Sequence, residues 1–500
     1  MTEAGHAARA QRPGNKSVTG AEPGDWEGRP VVVAGAGVSG AAAARVLRDL
    51  GARVVVAEAS EERAEPLRAD GFDVRDLPAP PEGTSLVVTS PGWRPTSPLL
   101  VAAAERGLEV WGEVELAWRL AQRRPRPAAW LALTGTNGKT TTVQMLERVL
   151  TAAGLRAVAT GNVGLPVLDA VLAAEPYEVL AVELSSFQLH WSSTLRPAAA
   201  AVLNVADDHT DWHGSFQEYA LAKARIWTAP VSIGNADDEV TRTLLGRAPG
   251  RRVTFTLQAP RPGELGLVGD GAGGLLVDRA FRVAAGRVEP QSAAEATELA
   301  AVTDLTVPGA HNLANALAAA ALARAHGVPA DAVRDGLRAF RADAHRNALV
   351  DERDGVRWVD DSKATNPHAA AASLAAYERV VWVAGGLLKG ADVEDLVRAA
   401  APRLRGVVLL GTDRGPFRDA LARHAPQIPV REVVRLDTGA MADAVAHARA
   451  LAAPGDTVLL APAAASMDCF RDYAERGDLF AAAVRPGAAG GGAGPDGAAG

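Results

Sequence analysis

A glycine-containing loop between an apolar run and a helical stretch limits the folds that this chain can adopt. The apolar run at residues 130–133 leads into Gly-Thr-Asn-Gly-Lys-Thr-Thr at residues 135–141, and a helical pattern follows. Backbone N–H groups of such a loop, together with the helix N-terminus, form a binding site for phosphate groups. Lys139 would reach the outer phosphates and Thr140 would ligate Mg²⁺, although Leu133 stands where the general phosphate-loop pattern has its first glycine.

A second glycine loop, Gly-x-Gly-x-x-Gly at residues 35–40, follows the strand-like run 31–33 and opens the alanine-rich stretch 41–50. With Glu58 about 18 residues further on, it matches the dinucleotide fingerprint. The same loop geometry also serves the diphosphate of a UDP-sugar. An NAD-dependent oxidoreductase and a non-enzymatic UDP-sugar sensor are therefore alternatives, but a simple dehydrogenase does not need a second phosphate loop.

Apolar runs alternate with helical stretches along most of the chain, which predicts doubly wound parallel sheets. A Pro/Arg-rich stretch at 122–127 interrupts the pattern as a linker, and the Gly-rich region 250–307 favours β-hairpins. We expect an α/β fold of three domains: a Rossmann-like N-terminal domain, a central P-loop ATPase-type domain and a Rossmann-like C-terminal domain. Further predicted strands are 54–57, 86–88, 179–182, 200–205, 357–359, 380–383, 407–410 and 457–460, and further predicted helices are 141–153, 312–325, 330–340 and 442–451.

The composition excludes several classes of protein. A formal net charge of -7 argues against a general nucleic-acid binder, and the single cysteine, Cys469, excludes an intramolecular disulfide. The sequence contains no stretch of 18 or more consecutive apolar residues, so a membrane-spanning helix is not expected. Residues 1–28 and 486–500 are polar or rich in Gly, Ala and Pro, and are expected to be disordered tails.

Two further motifs follow predicted strands of the central segment. Glu183 comes directly after the run 179–182, and Asn-Val-Ala-Asp-Asp-His at 204–209 follows the next strand. A carboxylate at the carboxyl end of a strand, near a phosphate loop, is well placed to bind Mg²⁺. His209 shares this local topology.

Taken together, these motifs resemble those of the Mur ligases, and among them the members that add D-glutamate. The resemblance extends from about residue 31 to residue 480. Motifs shared across that family lie at 135–141, 160–164, 183–189, 204–209, 222–226, 235–238 and 311–316, and those specific to the D-glutamate-adding members at 361–366 and 460–468. A Mur ligase that adds another amino acid is the alternative within the family.

The resemblance implies three domains: 29–121 for the UDP-linked substrate, 128–342 for ATP, and 343–485 for the incoming amino acid. It implies ATP-dependent amide formation between UDP-N-acetylmuramoyl-L-alanine and D-glutamate through an acyl phosphate, in cytoplasmic cell-wall synthesis. The expected partners are these small molecules, ATP and two Mg²⁺ ions, with no nucleic acid and no membrane. A monomer is expected.

The same resemblance assigns roles to individual positions. Lys139, His209 and Lys223 match catalytic positions. Thr140, Glu183, His209 and Lys223, the last as a carbamate, match metal ligands. ATP contacts match Gly135, Thr136, Asn137, Gly138, Lys139, Thr140, Thr141, Asn235, Arg346 and Asp361. Contacts to the UDP-linked substrate match Val38, Ser39, Glu58, Asn162, Ser185, Gln188 and His209, and D-glutamate contacts match Lys363, Thr365, Lys389, Ser466 and Tyr473.

A carbamate on Lys223 places a demand on the environment of that side chain. CO₂ reacts only with a neutral amine, so the pKa of Lys223 must fall far below the usual value of about 10.4, through burial or nearby positive charge. An ordinary salt-bridging lysine on a helix is the alternative. A non-enzymatic sensor is disfavoured by the presence of residues that match catalytic and metal-ligand positions, namely Lys139, Glu183, His209 and Lys223.

Overall fold

The computed structural model describes residues 26–284, 287–292, 294–307, 309–341 and 344–485 of the chain. The predicted C-terminal tail and residues 1–25 of the predicted N-terminal tail lie outside these ranges. The prediction of a tail through residue 28 is wrong for its last three residues, which form a turn. Trp26 is buried there because its ring packs edge-on against that of Trp111.

The first sheet has five parallel strands in the order β3-β2-β1-β4-β5. The strands are β1 (Pro30–Ala34), β2 (Arg53–Ala57), β3 (Asp73–Arg75), β4 (Leu86–Thr89) and β5 (Glu109–Gly112). The helices between and after them are α1 (Val38–Asp49), α2 (Glu61–Ala69), α3 (Pro98–Glu105) and α4 (Glu113–Ala121). The central strand β1 and the first three residues of β4 are apolar because helices cover both faces of the sheet.

The second sheet has nine strands in the order β16-β13-β12-β11-β10-β9-β6-β8-β7. They are β6 (Ala129–Thr134), β7 (Ala157–Gly161), β8 (Val179–Glu183), β9 (Ala199–Val202), β10 (Val231–Asn235), β11 (Arg251–Phe255), β12 (Glu264–Val268), β13 (Leu275–Asp278) and β16 (Thr297–Ala301), with β14 (Phe281–Ala284) and β15 (Arg287–Pro290) as a separate hairpin. Its helices are α5 (Lys139–Ala152), α6 (Val167–Leu172), α7 (Ser186–His190), α8 (Thr210–His213), α9 (Phe216–Ala224), α10 (Glu239–Leu245), α11 (Ala310–Ala325) and α12 (Ala330–Ala339).

Residues 250–307 are only partly the hairpins that the glycine content predicted. β12 and β13 pair antiparallel, as do β13 and β16 and the hairpin β14–β15. β11, however, pairs in parallel with both β10 and β12 and so extends the parallel part of the sheet. Glycine marks the turns in this region but carries no information on which strand is the neighbour.

The third sheet has six strands in the order β17-β18-β22-β19-β20-β21, and only β17 is antiparallel to its neighbour. The strands are β17 (Ala348–Arg353), β18 (Val356–Asp360), β19 (Val380–Gly385), β20 (Leu404–Leu410), β21 (Val430–Glu432) and β22 (Thr457–Leu460). The helices are α13 (Pro367–Ala375), α14 (Glu394–Ala400), α15 (Arg414–His424), α16 (Ala440–Leu451) and α17 (Tyr473–Val484).

These three sheets with their covering helices confirm the predicted α/β fold class. By residue contacts the chain forms two compact units. One comprises the described residues within 1–302 and 315–337 and contains the first two sheets; the other comprises the described residues within 303–314 and 338–485 and contains the third. The domain limits 29–121, 128–342 and 343–485 stay predictions. Among the described residues no helix is long and apolar enough to span a membrane.

Candidate active site

The phosphate loop connects β6, the strand between β8 and β9, to the N-terminus of α5. Gly138, the residue before the helix, has a φ of 81°, which L side chains rarely adopt. A Cβ added to Gly138 would lie 2.3 Å from Oδ1 of Asn315. Glycine is therefore required here both by the backbone conformation and by the space available.

The loop that follows β9 holds the phosphate loop in place. The backbone N–H of Asn137 donates to Oδ1 of Asn204 (2.8 Å), and Nδ2 of Asn204 donates to the carbonyl oxygen of Asn137 (3.1 Å). The Thr136 hydroxyl accepts from the backbone N–H of Ala206 (3.0 Å) and lies 3.0 Å from the hydroxyl of Tyr219. Asn204 was not singled out from the sequence, although its motif was. Its exchange of two hydrogen bonds with Asn137 over 67 positions explains why an amide is needed there.

Two lysine ammonium groups converge on the phosphate loop. Nζ of Lys139 donates to the carbonyl oxygens of Gly135 and Thr136, both at 2.9 Å. Nζ of Lys223, from the end of α9, donates to the same Gly135 oxygen at 2.8 Å. The structure thus brings together the two lysines that the sequence assigned to catalysis.

Lys223 is 2% exposed, which makes it one of the most deeply buried charged side chains of the described chain. Burial, and then the positive charge of Lys139, hold the pKa of Lys223 well below its usual value, although the carboxylates of Asp208 and Glu183 act in the opposite direction. The ring of Tyr219 lies 4.5 Å from Nζ. This is the environment that carbamate formation requires.

Glu183, the last residue of β8, has one carboxylate oxygen bonded and one without a partner. Oε1 accepts from Nδ2 of Asn162 at 2.9 Å, whereas Oε2 is buried and has no hydrogen-bond partner in the described part of the chain. A buried carboxylate oxygen without a donor is unfavourable unless a ligand or ion supplies the missing interaction. Mg²⁺ is an ion that takes such an oxygen together with substrate phosphates, so this side chain fits the predicted metal role.

His209 occupies an unusual backbone conformation at the start of α8. Its φ is 52°, in the left-handed region, and its ring lies against Phe187 with a centroid distance of 4.9 Å. The side chain is about half exposed, and Nε2 lies 3.6 Å from Oδ2 of Asp208. Asp208 was not among the predicted site residues, yet its charge acts on both Lys223 and Tyr219, which places it at this site.

The described residues contain no group of three or more His, Cys, Asp or Glu side chains arranged to hold a metal ion. In nucleotide enzymes, Mg²⁺ is typically bound by one or two carboxylates together with phosphate oxygens. Thr140, the remaining predicted ligand, is 7% exposed in the first turn of α5.

Three predicted ligand contacts are engaged in local structure. Ser185 and Gln188 form a reciprocal capping box at the N-terminus of α7, with the Gln188 N–H donating to the Ser185 hydroxyl and the Ser185 N–H donating to Oε1 of Gln188. Asn235, at the end of β10, donates from Nδ2 to the carbonyl oxygen of Leu203 and accepts from the Asp237 N–H. These bonds give the side chains a structural role and fix their positions.

In the first domain, Glu58 uses both carboxylate oxygens within the protein. Oε2 accepts from the Ala36 N–H in the glycine loop (3.1 Å) and from Nε of Arg63 (3.1 Å). Oε1 accepts from the Ser60 N–H (2.9 Å) and from Nη2 of Arg63 (2.8 Å). The Arg63 guanidinium is the main reason that the pKa of Glu58 falls to about 2. Glu58 therefore fixes the glycine loop, a role that the sequence did not predict, and Arg63 was missed.

Ser39 of the glycine loop is connected through Glu113 to the start of α6. The Ser39 hydroxyl is hydrogen-bonded to the carboxyl of Glu113, which in addition accepts from the Leu168 N–H at the start of α6. Burial raises the pKa of Glu113. Val38 at the start of α1 is 77% exposed, so it is open to a ligand. Ser90, which the sequence did not single out, has a buried hydroxyl without a hydrogen-bond partner in the described structure, and its Oγ lies 2.7 Å from where a Cβ on Gly35 would stand.

In the unit that contains the third sheet, the two predicted ATP contacts, Arg346 and Asp361, lie close together. Asp361 follows β18 and accepts from the Asn347 N–H (3.1 Å) and from the Ser373 hydroxyl. Burial raises the pKa of Asp361 to about 6, and the charge of Arg346 acts against that rise. Directly before each of these residues, Nδ1 of His345 lies 2.6 Å from Oδ2 of Asp360. This pair joins the two segments that carry Arg346 and Asp361.

The five predicted D-glutamate contacts come from four segments of the same unit. Nζ of Lys363 lies 3.8 Å from the ring centroid of Tyr473. Leu387, two residues before Lys389, exchanges two 2.9 Å backbone hydrogen bonds with Ala465, the residue before Ser466. The loops of Thr365 and Ser466 are joined through the Ala463 N–H, which donates to the carbonyl oxygen of Ala364 (2.9 Å). Lys389 itself is exposed with a φ of 54°.

Comparison with known proteins identifies the family. The profile of the Mur ligase middle domain matches residues 133–323, and the profile of the Mur ligase glutamate ligase domain matches residues 345–464. Curated relatives named UDP-N-acetylmuramoylalanine--D-glutamate ligase cover 92% of this chain: those of Streptomyces avermitilis (58% identical, 99% of the relative covered), Thermobifida fusca (59%, 99%) and Rhodococcus jostii (50%, 96%). The chain belongs to the Mur ligase family.

Solved structures share the fold of this Mur ligase at lower identity. UDP-N-acetylmuramate-alanine ligase from Thermotoga maritima is 21% identical with a TM-score of 0.55, over 90% of this chain and 98% of that protein. MurF from Acinetobacter baumannii is 19% identical with a TM-score of 0.55, over 82% and 87%. The profile of the alanine dehydrogenase/PNT C-terminal domain matches residues 1–75, the segment whose glycine loop is compatible with a dinucleotide. The near full-length relatives are Mur ligases, which disfavours the oxidoreductase alternative.

Proposed function

We propose that this chain is an ATP-dependent ligase that joins D-glutamate to UDP-N-acetylmuramoyl-L-alanine in the synthesis of peptidoglycan precursors. The observation that carries the proposal is its similarity, over 92% of its length, to relatives that bear the name of this activity. The Lys139–Lys223–Glu183 arrangement at the phosphate loop supplies the matching chemistry. We propose that it acts in the cytoplasm as a monomer on small-molecule substrates.

The chemistry has to overcome a poor leaving group, because a free carboxylate does not react with an amine. An oxygen of the alanyl carboxylate attacks the γ-phosphorus of ATP, which releases ADP and gives an acyl phosphate. The amine of D-glutamate then attacks the acyl carbon, so that a C–N bond forms, the acyl C–O bond breaks and inorganic phosphate leaves. Since both partners of the first step are anions, alignment and charge neutralisation are the main contributions of the protein.

The phosphate loop is the proposed ATP site. Backbone N–H groups of residues 135–141 and the N-terminus of α5 bind the phosphates, and Lys139 turns its ammonium group from the loop carbonyls towards the outer phosphates. Asn235, Arg346 and Asp361 are the proposed contacts to the rest of the nucleotide. Thr140, Glu183, His209 and the modified Lys223 would hold two Mg²⁺ ions, which would supply positive charge against the phosphate oxygens.

Carbamoylation of Lys223 is part of the proposal. A neutral Lys223 amine adds to CO₂ and loses one proton, which converts the side chain into an anion. The depressed pKa of Lys223 supports this step, because burial and Lys139 disfavour the ammonium form. The change also creates an attraction between the carbamate and the ammonium group of Lys139.

The proposed site for UDP-N-acetylmuramoyl-L-alanine comprises Val38, Ser39, Asn162, Ser185, Gln188 and His209, with Glu58 holding the glycine loop. D-Glutamate carries two carboxylates and therefore needs cationic and hydroxyl partners. Lys363, Thr365, Lys389 and Ser466 have these groups, and Tyr473 lies against the first of them. The proposed domains are 29–121, 128–342 and 343–485.

ADP formation measured with UDP-N-acetylmuramoyl-L-alanine and a panel of amino acids tests the function. We expect turnover with D-glutamate and little with L-glutamate, L-alanine or L-lysine. Equal turnover with L-glutamate would contradict the proposed acceptor, and preference for a different amino acid would favour another Mur ligase activity. Reduction of NAD without ATP would favour an oxidoreductase.

A further inference from the structure

The strongest unassigned feature is a buried cation on α17. Arg476 has an exposed fraction of 0%, and it is the largest charged side chain among the fully buried ones in the described structure. It is not one of the residues to which the proposed function gives a role. A guanidinium that is shielded from solvent is stable only if its N–H groups donate hydrogen bonds to other groups of the protein.

Arg476 donates to two different loops at the carboxyl edge of the third sheet. Nε donates to Oγ of Ser362 (2.9 Å) and Nη2 to the carbonyl oxygen of Ser362 (2.8 Å). Nη1 donates to the carbonyl oxygen of Ala464 (3.1 Å). Ser362 follows β18 and directly precedes Lys363, whereas Ala464 follows β22 and lies two positions before Ser466. One guanidinium therefore fixes the backbone on both sides of the proposed D-glutamate site.

A third segment is tied to the same centre. The Ser362 hydroxyl, which accepts from Arg476, donates to the carbonyl oxygen of Tyr473 (2.7 Å) at the start of α17. The ring of Tyr473 lies 3.8 Å from Nζ of Lys363. The position of the Lys363 ammonium group thus depends on the backbone at Ser362 and on the ring of Tyr473, and Arg476 acts on both.

The geometry requires an arginine. Three N–H groups of the planar guanidinium point in fixed directions towards two separate loops. The single ammonium group of a lysine cannot bond to both loops in this geometry. Burial lowers the pKa of Arg476 to about 10, and the carboxylates of Asp468 and Asp360 act against that fall. The side chain therefore stays charged near neutral pH, and its hydrogen bonds are charge-assisted.

We infer that Arg476 is a positioning residue of the acceptor site, which sets the relative placement of Lys363, Ser466 and Tyr473 for D-glutamate. This inference deepens the proposed function and rests on it. A positioning role predicts a specific kinetic signature, because small displacements of binding groups affect the ligand that they bind and leave distant sites unchanged.

The test compares the purified full-length variants Arg476→Lys and Ser362→Ala with wild-type enzyme. We expect the KM for D-glutamate to rise about 10- to 100-fold in Arg476→Lys. Ser362→Ala retains the charge of Arg476 and two of its three bonds, but it loses both bonds of the hydroxyl, to Arg476 and to Tyr473. We expect a rise of about three- to 30-fold, as for two lost hydrogen bonds. The KM for UDP-N-acetylmuramoyl-L-alanine should stay within about two-fold, and the KM for ATP should change less than that for D-glutamate, since Asp361 is held by other groups.

Arg324→Lys is the matched control. Arg324 is also buried and donates to Asp278, Val328 and Phe281, but it belongs to the unit that does not contain the third sheet. Its replacement should lower the thermal midpoint as much as Arg476→Lys does, while the KM for D-glutamate stays at the wild-type value. If Arg476→Lys is insoluble, the Ser362→Ala kinetics decide the question.

Unchanged D-glutamate KM values in both variants, or an equal rise in all three KM values, would overturn the positioning role. Those results differ from failure of the proposed function, which would appear as wild-type enzyme without D-glutamate-dependent turnover. Amide hydrogen exchange gives a readout independent of turnover. Peptides that cover residues 361–366 and 463–467 should exchange faster in Arg476→Lys than in Arg324→Lys.

Discussion

Lys139 and Lys223 donate to the same acceptor, the carbonyl oxygen of Gly135, at 2.9 and 2.8 Å. Two ammonium groups that share one acceptor oxygen repel each other. This repulsion lowers the pKa most for the side chain that is more deeply buried. Lys223 is that side chain, so its neutral form is favoured. The proposed catalysis depends on this pair, because a neutral amine is the form that becomes a carbamate.

Replacement of Lys223 by Ala should lower kcat by about 100-fold or more, the usual effect of removing a charged group that stabilises a transition state. A small carboxylic acid such as acetate should restore part of the activity by supplying an anion in the vacated space. ¹³C NMR of wild-type enzyme in ¹³C-bicarbonate should show a carbamate signal that the variant lacks. A fully active Lys223→Ala enzyme, or a wild-type spectrum without that signal, would remove the carbamate from the account.

Glu183→Gln tests the metal role of the buried carboxylate. The amide can still accept from Asn162 through its oxygen, so the fold should be retained. Loss of the anionic oxygen should raise the Mg²⁺ concentration needed for half-maximal activity by about ten-fold or more. Titration of activity with Mg²⁺ at saturating ATP measures this effect, and an unchanged requirement would place the ion elsewhere.

Gly138→Ala tests the phosphate loop. A side chain at φ 81° is strained by about 1–2 kcal/mol, and this one would also meet Asn315. We expect the dissociation constant of Mg-ATP, measured by calorimetry, to rise at least ten-fold. Gly154→Ala is the control, since Gly154 has a φ of 78° with no atom within 4 Å of the added Cβ. It should lose only the stability that corresponds to the backbone strain and should bind ATP normally; equal ATP affinities of the two variants would contradict the role of the loop.

The Glu58–Arg63 pair predicts a pH dependence of stability. The folded pKa of Glu58 is about 2, below its ordinary value of 4.5, so its contribution is fully present above pH 4.5 and is lost as pH falls towards 2. Arg63→Met should raise the pKa of Glu58 and reduce this loss. Urea unfolding at pH 7 and pH 3 measures it: the stability difference between wild type and variant should shrink at pH 3. A difference that is the same at both pH values would contradict the assignment.

Local sequence patterns were sufficient to predict the framework of the fold and the phosphate loop. The run 130–133 and the motif 135–141 predicted β6, the loop and α5 within two residues, because apolar runs, glycine and a helical pattern are all local signals. Trp26 was assigned to a disordered tail, since its partner Trp111 lies 85 positions away in a strand that the sequence did not indicate.

Residues that act through distant partners were missed for the same reason. Asn204 pairs with Asn137, and Arg476 bonds to Ser362 over 114 positions. Charge and residue type at those positions are compatible with an exposed surface, so only the folded backbone shows that they are buried and bonded. Glu58 was recognised as important, but the sequence could not indicate that Arg63 and two backbone N–H groups occupy both of its oxygens.

If the γ-phosphoryl group of ATP activates the alanyl carboxylate, one oxygen atom of that carboxylate must pass to the released phosphate. UDP-N-acetylmuramoyl-L-alanine labelled with ¹⁸O in its carboxylate is incubated with enzyme, Mg-ATP and D-glutamate, and the inorganic phosphate is analysed by mass spectrometry. We expect one ¹⁸O atom in each phosphate released. Phosphate without ¹⁸O, formed at the rate of amide synthesis, would contradict activation through an acyl phosphate.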